Sequence, residues 1–121
     1  IMANQASILF ESLVSDPLRT LPVVSWKAKG CGYNRQSNGM HTVQFTTANE
    51  FVGIVTIQAT LATTPEDADW FDVVDLTIGD NVTPVADGAI TKNFTGNFTW
   101  VRGIITEFTS GSLNRVLYTH N

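Results

Sequence analysis

The feature that most constrains the fold is a regular alternation of apolar and polar residues in the middle of the chain. Within residues 41–47, Val43 and Phe45 point to one side, and the polar residues Thr42, Gln44 and Thr46 point to the other. Successive side chains of a β-strand lie on opposite faces, so a period of two predicts a half-buried strand. Similar alternation over Phe51–Leu61 and Phe98–Phe108 favours a chain built mainly from strands.

Composition and length agree with this interpretation. The chain has 121 residues, which fits one domain. It contains sixteen threonines but only three lysines and four glutamates, so residues that suit strands outnumber good helix formers. Turn signals recur every eight to twelve residues or so, as in sandwiches and barrels. We therefore predict an all-β fold: a single antiparallel, jelly-roll-like β-sandwich over residues 1–121, with about seven to nine strands and no substantial helix.

The expected strands follow from the punctuation of the chain, although the first segment also has the spacing of a helical face. Ala48–Glu50 and Thr109–Ser112 are predicted to be hairpin turns. Two tryptophans share strand parity with apolar neighbours, which predicts that Trp70 (with Val74, Leu76 and Ile78) and Trp100 (with Phe98 and Ile104) lie in the core. The predicted strands are Ser7–Val14, Pro22–Lys29, His41–Thr47, Phe51–Leu61, Trp70–Ile78, Ala89–Phe94, Phe98–Phe108 and Leu113–His120.

Charge and cysteine content argue against several function classes. The formal net charge is −4, and the seven lysines and arginines are scattered, so nucleic acid is not an expected partner. A single cysteine, Cys31, forms no internal disulfide and no cysteine-paired zinc site. The longest apolar stretch, Phe51–Leu61, is too short and too polar to span a bilayer, so no membrane partner is expected.

No catalytic constellation emerges from the remaining polar residues, and we expect a protein that is not an enzyme and that uses no cofactor or metal. His41 and His120 have no motif partner and are predicted to lie at the surface, although Cys31 paired with His41 stays open as a nucleophile and base. An acidic cluster carries only a fragment of a calcium-binding loop, which favours a solvated acidic loop. Its members are Glu66, Asp67, Asp69, Asp72, Asp75 and Asp80.

Aromatic residues near one loop give the best candidate for a ligand or partner surface. Trp26 lies in a predicted strand, and Tyr33 and Arg35 lie in the loop that follows it. Exposed aromatics on strands form platforms for sugar rings, whereas buried ones fill the space between two sheets. Trp26, Tyr33 and Arg35 are therefore the candidate surface, and a glycan is its possible ligand.

The order of aromatic and turn-flanked segments also carries a resemblance. Ile8–Leu13 precedes Val24-Ser25-Trp26, and later come the segments Gly53–Leu61, Asp69-Trp70-Phe71 and Gly96–Arg102, then a closing hairpin. Over most of the chain this order resembles small virion structural proteins of tailed phages, especially contractile-tailed marine phages of cyanobacteria.

The resemblance implies a non-enzymatic component of a phage head, neck, tail or fibre, made in the cytoplasm of the bacterial host. Such a protein acts through assembly, so we expect a homo-oligomer that contacts other virion proteins, and a trimer if it belongs to a fibre or spike. The alternative function is a carbohydrate-binding β-sandwich module that uses exposed aromatics.

Overall fold

A computed structural model describes residues 7–14, 21–30 and 39–120 of the chain, and the described residues form seven strands and no α-helix. One short 3₁₀ turn, Asp67–Asp69, precedes the fifth strand. The strands are β1 (Ser7–Val14), β2 (Val23–Val24), β3 (Ala28–Lys29), β4 (Met40–Thr60), β5 (Phe71–Ile78), β6 (Gly88–Thr95) and β7 (Trp100–His120). The predicted all-β fold is confirmed.

Two long strands organise the sheet. β4 and β7 each contain 21 residues and pair antiparallel along nearly their whole length. The first half of β4 also pairs with β6, and its second half pairs with β5. The second half of β7 also pairs with β1, and its first half pairs with β2 and β3. Two four-membered half-sheets result, ordered β6-β4-β7-β1 and β5-β4-β7-β2/β3.

Both long strands bend where the half-sheets meet. In β4 the bend contains Asn49 and Glu50, which have φ of 58° and 56°. In β7 it contains Gly111, with φ of 81°, where an added Cβ would lie 2.5 Å from the backbone of Phe51. The prediction of hairpin turns at Ala48–Glu50 and Thr109–Ser112 was wrong, because the chain bends there and continues into the other half-sheet instead of pairing with itself.

The half-sheets pack face to face. Phe10 on β1 lies against Gly103 on the opposite half-sheet, where an added Cβ would be 2.7 Å from the Phe10 ring. β4 and β7 each contribute one segment to both layers, and β2/β3 counts as a single segment. Each layer then contains four segments, and their order is that of a jelly roll. The molecule is therefore an antiparallel jelly-roll β-sandwich.

The core lies between these layers and follows the alternation seen in the sequence. Val43 and Phe45 are fully buried, as predicted. From β7, Val101 and Ile105 face the core. The fully buried apolar side chains also include Phe51, Val55, Ile57, Leu113 and Val116.

The predicted core face was wrong for Phe98–Phe108 and partly wrong for Trp70–Ile78. On β7 it is Val101 and Ile105 that are fully buried, so Trp100 and Ile104 lie on the outer face and are half-buried. Of the residues predicted on the core face with Trp70, Leu76 and Ile78 are buried, but Val74 is 80% exposed and Trp70 itself is half-buried. The cause is a bulge in β5: four residues, with Asp75 at φ of 64°, lie opposite one residue of β4 and reset the alternation.

The predicted strand Pro22–Lys29 is divided. β2 and β3 pair with β7 on either side of the segment that holds Ser25 and Trp26. In a continuous strand Trp26 and Ala28 would lie on the same face. Ala28 is buried but Trp26 is 93% exposed, so the two residues do not share a buried face. This interruption lifts Trp26 out of the sheet and places it at the surface.

Candidate functional site

The best candidate site is a cleft on the outer face of the half-sheet formed by β5, β4, β7 and β2/β3. We call it the tryptophan cleft, and its volume is about 180 Å³. It is lined by Ser25, Trp26, Lys27, Pro65, Asp67, Trp70 and Arg102. The 3₁₀ turn brings Asp67 and Trp70 to one wall, and the segment between β2 and β3 supplies the other. Segments distant in the sequence thus meet at one surface.

Trp26 is exposed, but its backbone is held in place by its neighbour. The backbone N–H of Ser25 donates to the carbonyl of Gly103 (2.9 Å), and the N–H of Gly103 donates to Ser25 Oγ (2.8 Å). Ser25 Oγ in turn donates to the carbonyl of Trp26 (3.0 Å). These bonds fix the peptide unit beside an indole ring that is 93% exposed. A large exposed ring on a fixed backbone is suited to contact a ligand or partner.

Each of the other two tryptophans has a cation over its ring. Arg102 Cζ lies 4.3 Å from the centroid of the Trp70 ring, and Lys27 Nζ lies 4.9 Å from that of Trp100. Both distances are within the range of cation–π attraction. Trp100 Nε1 also donates to the carbonyl of Thr63 (3.0 Å), which ties β7 to the loop after β4. Trp70 and Trp100 therefore form the fixed base of the region.

A chain of polar side chains crosses three strands beside the cleft. Gln58 on β4 lies opposite Arg102 on β7 and opposite Asp72 on β5. Arg102 Nε donates to Gln58 Oε1 (2.9 Å), and Gln58 Nε2 donates to Asp72 Oδ1 (3.0 Å). We call these three residues the polar ladder. Cross-strand pairing sets its geometry, so the guanidinium is held in one orientation over Trp70.

The charges around the cleft oppose one another. Partial burial lowers the pKa of the Arg102 guanidinium, and the negative charge of Asp67 acts in the raising direction. Arginine stays protonated in proteins, so Arg102 remains a cation. Lys27 and Arg102 supply two positive charges to the lining of the cleft, and Asp67 supplies a negative one. The cleft thus presents charges of both signs, with both donors and acceptors.

A second aromatic cluster lies inside the sandwich and surrounds His41, which is fully buried. The prediction that His41 lies at the surface was wrong, because β4 lies between β6 and β7 and this position faces the core. The imidazole stacks on Phe94 with ring centroids 4.4 Å apart and nearly parallel planes. Phe98, Tyr118 and His120 complete what we call the His41 cluster.

Hydrogen bonds define the state of His41. His41 Nε2 lies 2.6 Å from the carbonyl oxygen of Gly96, and His41 Nδ1 lies 2.7 Å from the Tyr118 hydroxyl. A carbonyl only accepts, so Nε2 carries the proton in the neutral ring, and the tyrosine hydroxyl donates to Nδ1. Burial lowers the pKa of His41, the Gly96 bond opposes this, and the charge of His120 adds to the lowering. This neutral, fully paired imidazole has a structural role.

The acidic residues do not converge on a metal site. Among residues 7–14, 21–30 and 39–120, no group of three or more histidine, cysteine or acidic side chains is placed to hold a metal ion. Asp80 Oδ1 accepts from the backbone N–H groups of Thr83 (2.8 Å) and Val82 (2.9 Å), which lowers the pKa of Asp80. Asp69 Oδ2 accepts from the N–H of Glu66 (2.8 Å). These carboxylates order local turns.

Of the residues named from the sequence as a ligand surface, Trp26 lies in the cleft, and Tyr33 and Arg35 lie outside the described residues. Cys31 also lies outside them, so its pairing with His41 stays untested. Sequence reasoning missed Lys27, Asp67 and Arg102. Arg102 lies two residues after Trp100, so the two share the outer face of β7, and this spacing is visible in the sequence.

None of the helical structure in the described part of the chain is long and apolar enough to cross a membrane.

Comparison with known proteins gives one structural likeness. No protein-family model matches the chain, and no curated protein matches it. Among solved structures, it is similar to CBM29_1, a family 29 carbohydrate-binding module from Piromyces equi. The TM-score is 0.43 at 10% sequence identity, over 98% of this chain and 92% of that one. At that level the likeness carries no argument about function.

Proposed function

We propose that this chain is a non-enzymatic structural protein of a tailed-phage virion that acts through protein–protein assembly. The resemblance in the order of its aromatic segments supports placement in a virion. The position of β1 at the end of its half-sheet, among the described strands, supports assembly, and this observation carries the proposal. Its partners are further copies of the chain and other proteins of the particle.

β1 ends one half-sheet and has the features of a strand that recruits another chain. It pairs with β7 on one side, and no strand of the described residues pairs with its other side. Ile8 is 54% exposed, and Glu11 is the only charge in the strand. Unpaired strand edges with few charges template pairing with other chains. A second copy of this chain is the occupant that we propose.

Light scattering on the full chain tests this proposal. We expect a mass of at least twice 13.2 kDa at micromolar concentration, and three times that value if the protein belongs to a fibre or spike. Ile8→Lys adds a charge to β1, the terminal strand of its half-sheet, and should shift the mass toward the monomer. Val82→Lys is the control, because Val82 is also exposed (81%) but lies in a loop. A monomeric parent protein would overturn the proposal.

Carbohydrate binding is the second candidate function, and the tryptophan cleft is the observation that favours it. One indole ring is exposed on a fixed backbone, and the charged side chains of Lys27, Asp67 and Arg102 line the same cleft. Small-molecule sites combine an apolar surface with a few placed polar groups in the same way. Screening the full chain against a glycan panel tests this function, and failure to bind any member would contradict it.

A further inference from the structure

We propose that the tryptophan cleft binds one uncharged pyranose ring of a glycan, stacked on Trp26. This inference rests on the second proposed function, carbohydrate binding, and adds the class of sugar and the residues that select it. The argument depends on which indole face is accessible, where the charges lie and how large the cleft is.

The accessible indole belongs to Trp26. Arg102 covers the ring of Trp70, and Lys27 lies over that of Trp100, so each of these rings already has a cationic partner. Trp26 is 93% exposed. The C–H groups on one face of a pyranose are apolar and match the face of an indole ring in size. Stacking on Trp26 buries both surfaces without disturbing either cation–π pair.

The charges of the cleft disfavour a charged ligand. A cationic ligand of the kind held in aromatic cages would meet Lys27 and Arg102 at the rings that it needs. An anionic ligand would meet the carboxylate of Asp67, and Arg102 Nε already donates to Gln58. Sugar hydroxyls both donate and accept, so they can bond to Asp67 as donors and to Lys27 as acceptors. An uncharged polyol therefore fits this mixed site best.

The size of the cleft limits how much of a glycan it holds. Its volume of about 180 Å³ is below the range of roughly 300–1,000 Å³ that is typical of sites for drug-sized ligands. A single monosaccharide unit matches this space, and the rest of a longer chain would extend into solvent. The site thus recognises one ring, at a chain end or within a glycan.

The test is isothermal titration calorimetry on the full chain with three kinds of probe. The probes are neutral oligosaccharides (cellotetraose, maltotetraose and mannotetraose), the acidic trigalacturonate, and choline as a cationic control. We expect at least one neutral oligosaccharide to bind more tightly than trigalacturonate and choline. We expect Trp26→Ala to weaken that binding at least tenfold. Val82→Ala, which removes an exposed apolar side chain away from the cleft, should leave the affinity unchanged.

The outcomes separate this inference from the function on which it rests. Tighter binding of trigalacturonate than of every neutral probe overturns the sugar class but leaves carbohydrate binding in place. If the Trp26→Ala variant binds a neutral oligosaccharide as tightly as the parent protein does, the assignment of the binding site to Trp26 is wrong. Failure of every probe to bind overturns both the inference and the carbohydrate-binding function. The fold of each variant is checked by its circular dichroism spectrum, which should match that of the parent protein.

Discussion

The molecule contains two aromatic clusters that use similar residues in opposite ways. In the His41 cluster the rings stack on one another, and both nitrogens of the buried imidazole have hydrogen-bond partners. In the tryptophan cleft and beside it, cations cover the rings of Trp70 and Trp100, and the ring of Trp26 is almost fully exposed. Buried, satisfied aromatics stabilise a fold, whereas an exposed ring on a fixed backbone is available for binding.

The difference follows from where β4 and β7 place each cluster. His41 and Tyr118 point inward between the half-sheets, so every polar atom there needs a protein partner. Trp100 and Arg102 point outward from the other half of β7, where solvent is present. Changes in the His41 cluster should therefore alter stability, and changes in the cleft should alter binding.

The largest expected effect is that of Phe94→Ala. Phe94 stacks on His41 and contacts Phe98 and Tyr118, so its removal leaves a cavity beside a buried imidazole. We expect a loss of about 3–5 kcal/mol in the free energy of unfolding. A domain of this size has only about 5–15 kcal/mol in total. Urea denaturation measures the loss, and a change below about 1 kcal/mol would contradict the structural role of this cluster.

A smaller loss is expected from Tyr118→Phe. The ring remains, but the hydroxyl that donates to His41 Nδ1 is removed, which leaves a buried acceptor without its partner. Such a group costs about 1–3 kcal/mol. Thr42→Val is the control, because it removes the exposed bond from Thr42 Oγ1 to Asn93 Oδ1 and should cost less. Equal losses in the two variants would show that the His41 bond has no special role.

The sequence was sufficient to predict the fold class, but it did not predict in every strand which residues face the core and which face outward. Alternation placed Val43 and Phe45 in the core, and β1 was predicted with its observed ends. Bulges defeated the same reasoning elsewhere, because the extra residues around Asp75 reverse the parity of β5. The bends at Asn49 and Gly111 contain residues that also form hairpin turns. Only the pairing of β4 with β7 distinguishes a bend from a hairpin at these positions.

The candidate site was predictable only in part. Trp26 was identified from its residue type and the loop beside it. Nothing in the spacing of Asp67 and Arg102 indicates that they meet, since a turn after β4 and a strand near the end of the chain bring them together. Trp100 was assigned to the core because aliphatic neighbours occur on both faces of β7, and parity alone does not say which face is inward.

A moderate effect is expected from pH, again within the His41 cluster. The pKa of His41 in the folded protein is lowered from its ordinary value of 6.5, chiefly by burial. The unfolded chain therefore binds more protons than the folded one below about pH 6.5. Stability should be constant above that pH and fall as the pH decreases through it toward the lower folded-state pKa. Thermal melts between pH 7.5 and 5 measure this effect.

His120→Asn distinguishes the two causes that lower the pKa of His41. The charge of His120 contributes less than burial, so this variant should keep most of the decrease in stability at low pH. A variant whose melting temperature no longer depends on pH would assign the effect to the pair of histidines. If the parent protein instead became more stable as the pH decreases from 7 to 5, His41 would not be neutral in the folded state.

The smallest effect on stability is expected from Trp26→Ala, although it removes the largest side chain of any variant considered. The bonds that fix this segment involve the Ser25 hydroxyl and the backbone groups of Ser25, Trp26 and Gly103, and all of them remain in the variant. The indole is 93% exposed, so little apolar surface returns to water on unfolding. The free energy of unfolding should stay within about 0.5 kcal/mol of that of the parent protein. A loss above about 1 kcal/mol in urea denaturation would mean that the ring packs over the cleft, and the contrast with Phe94→Ala would then fail.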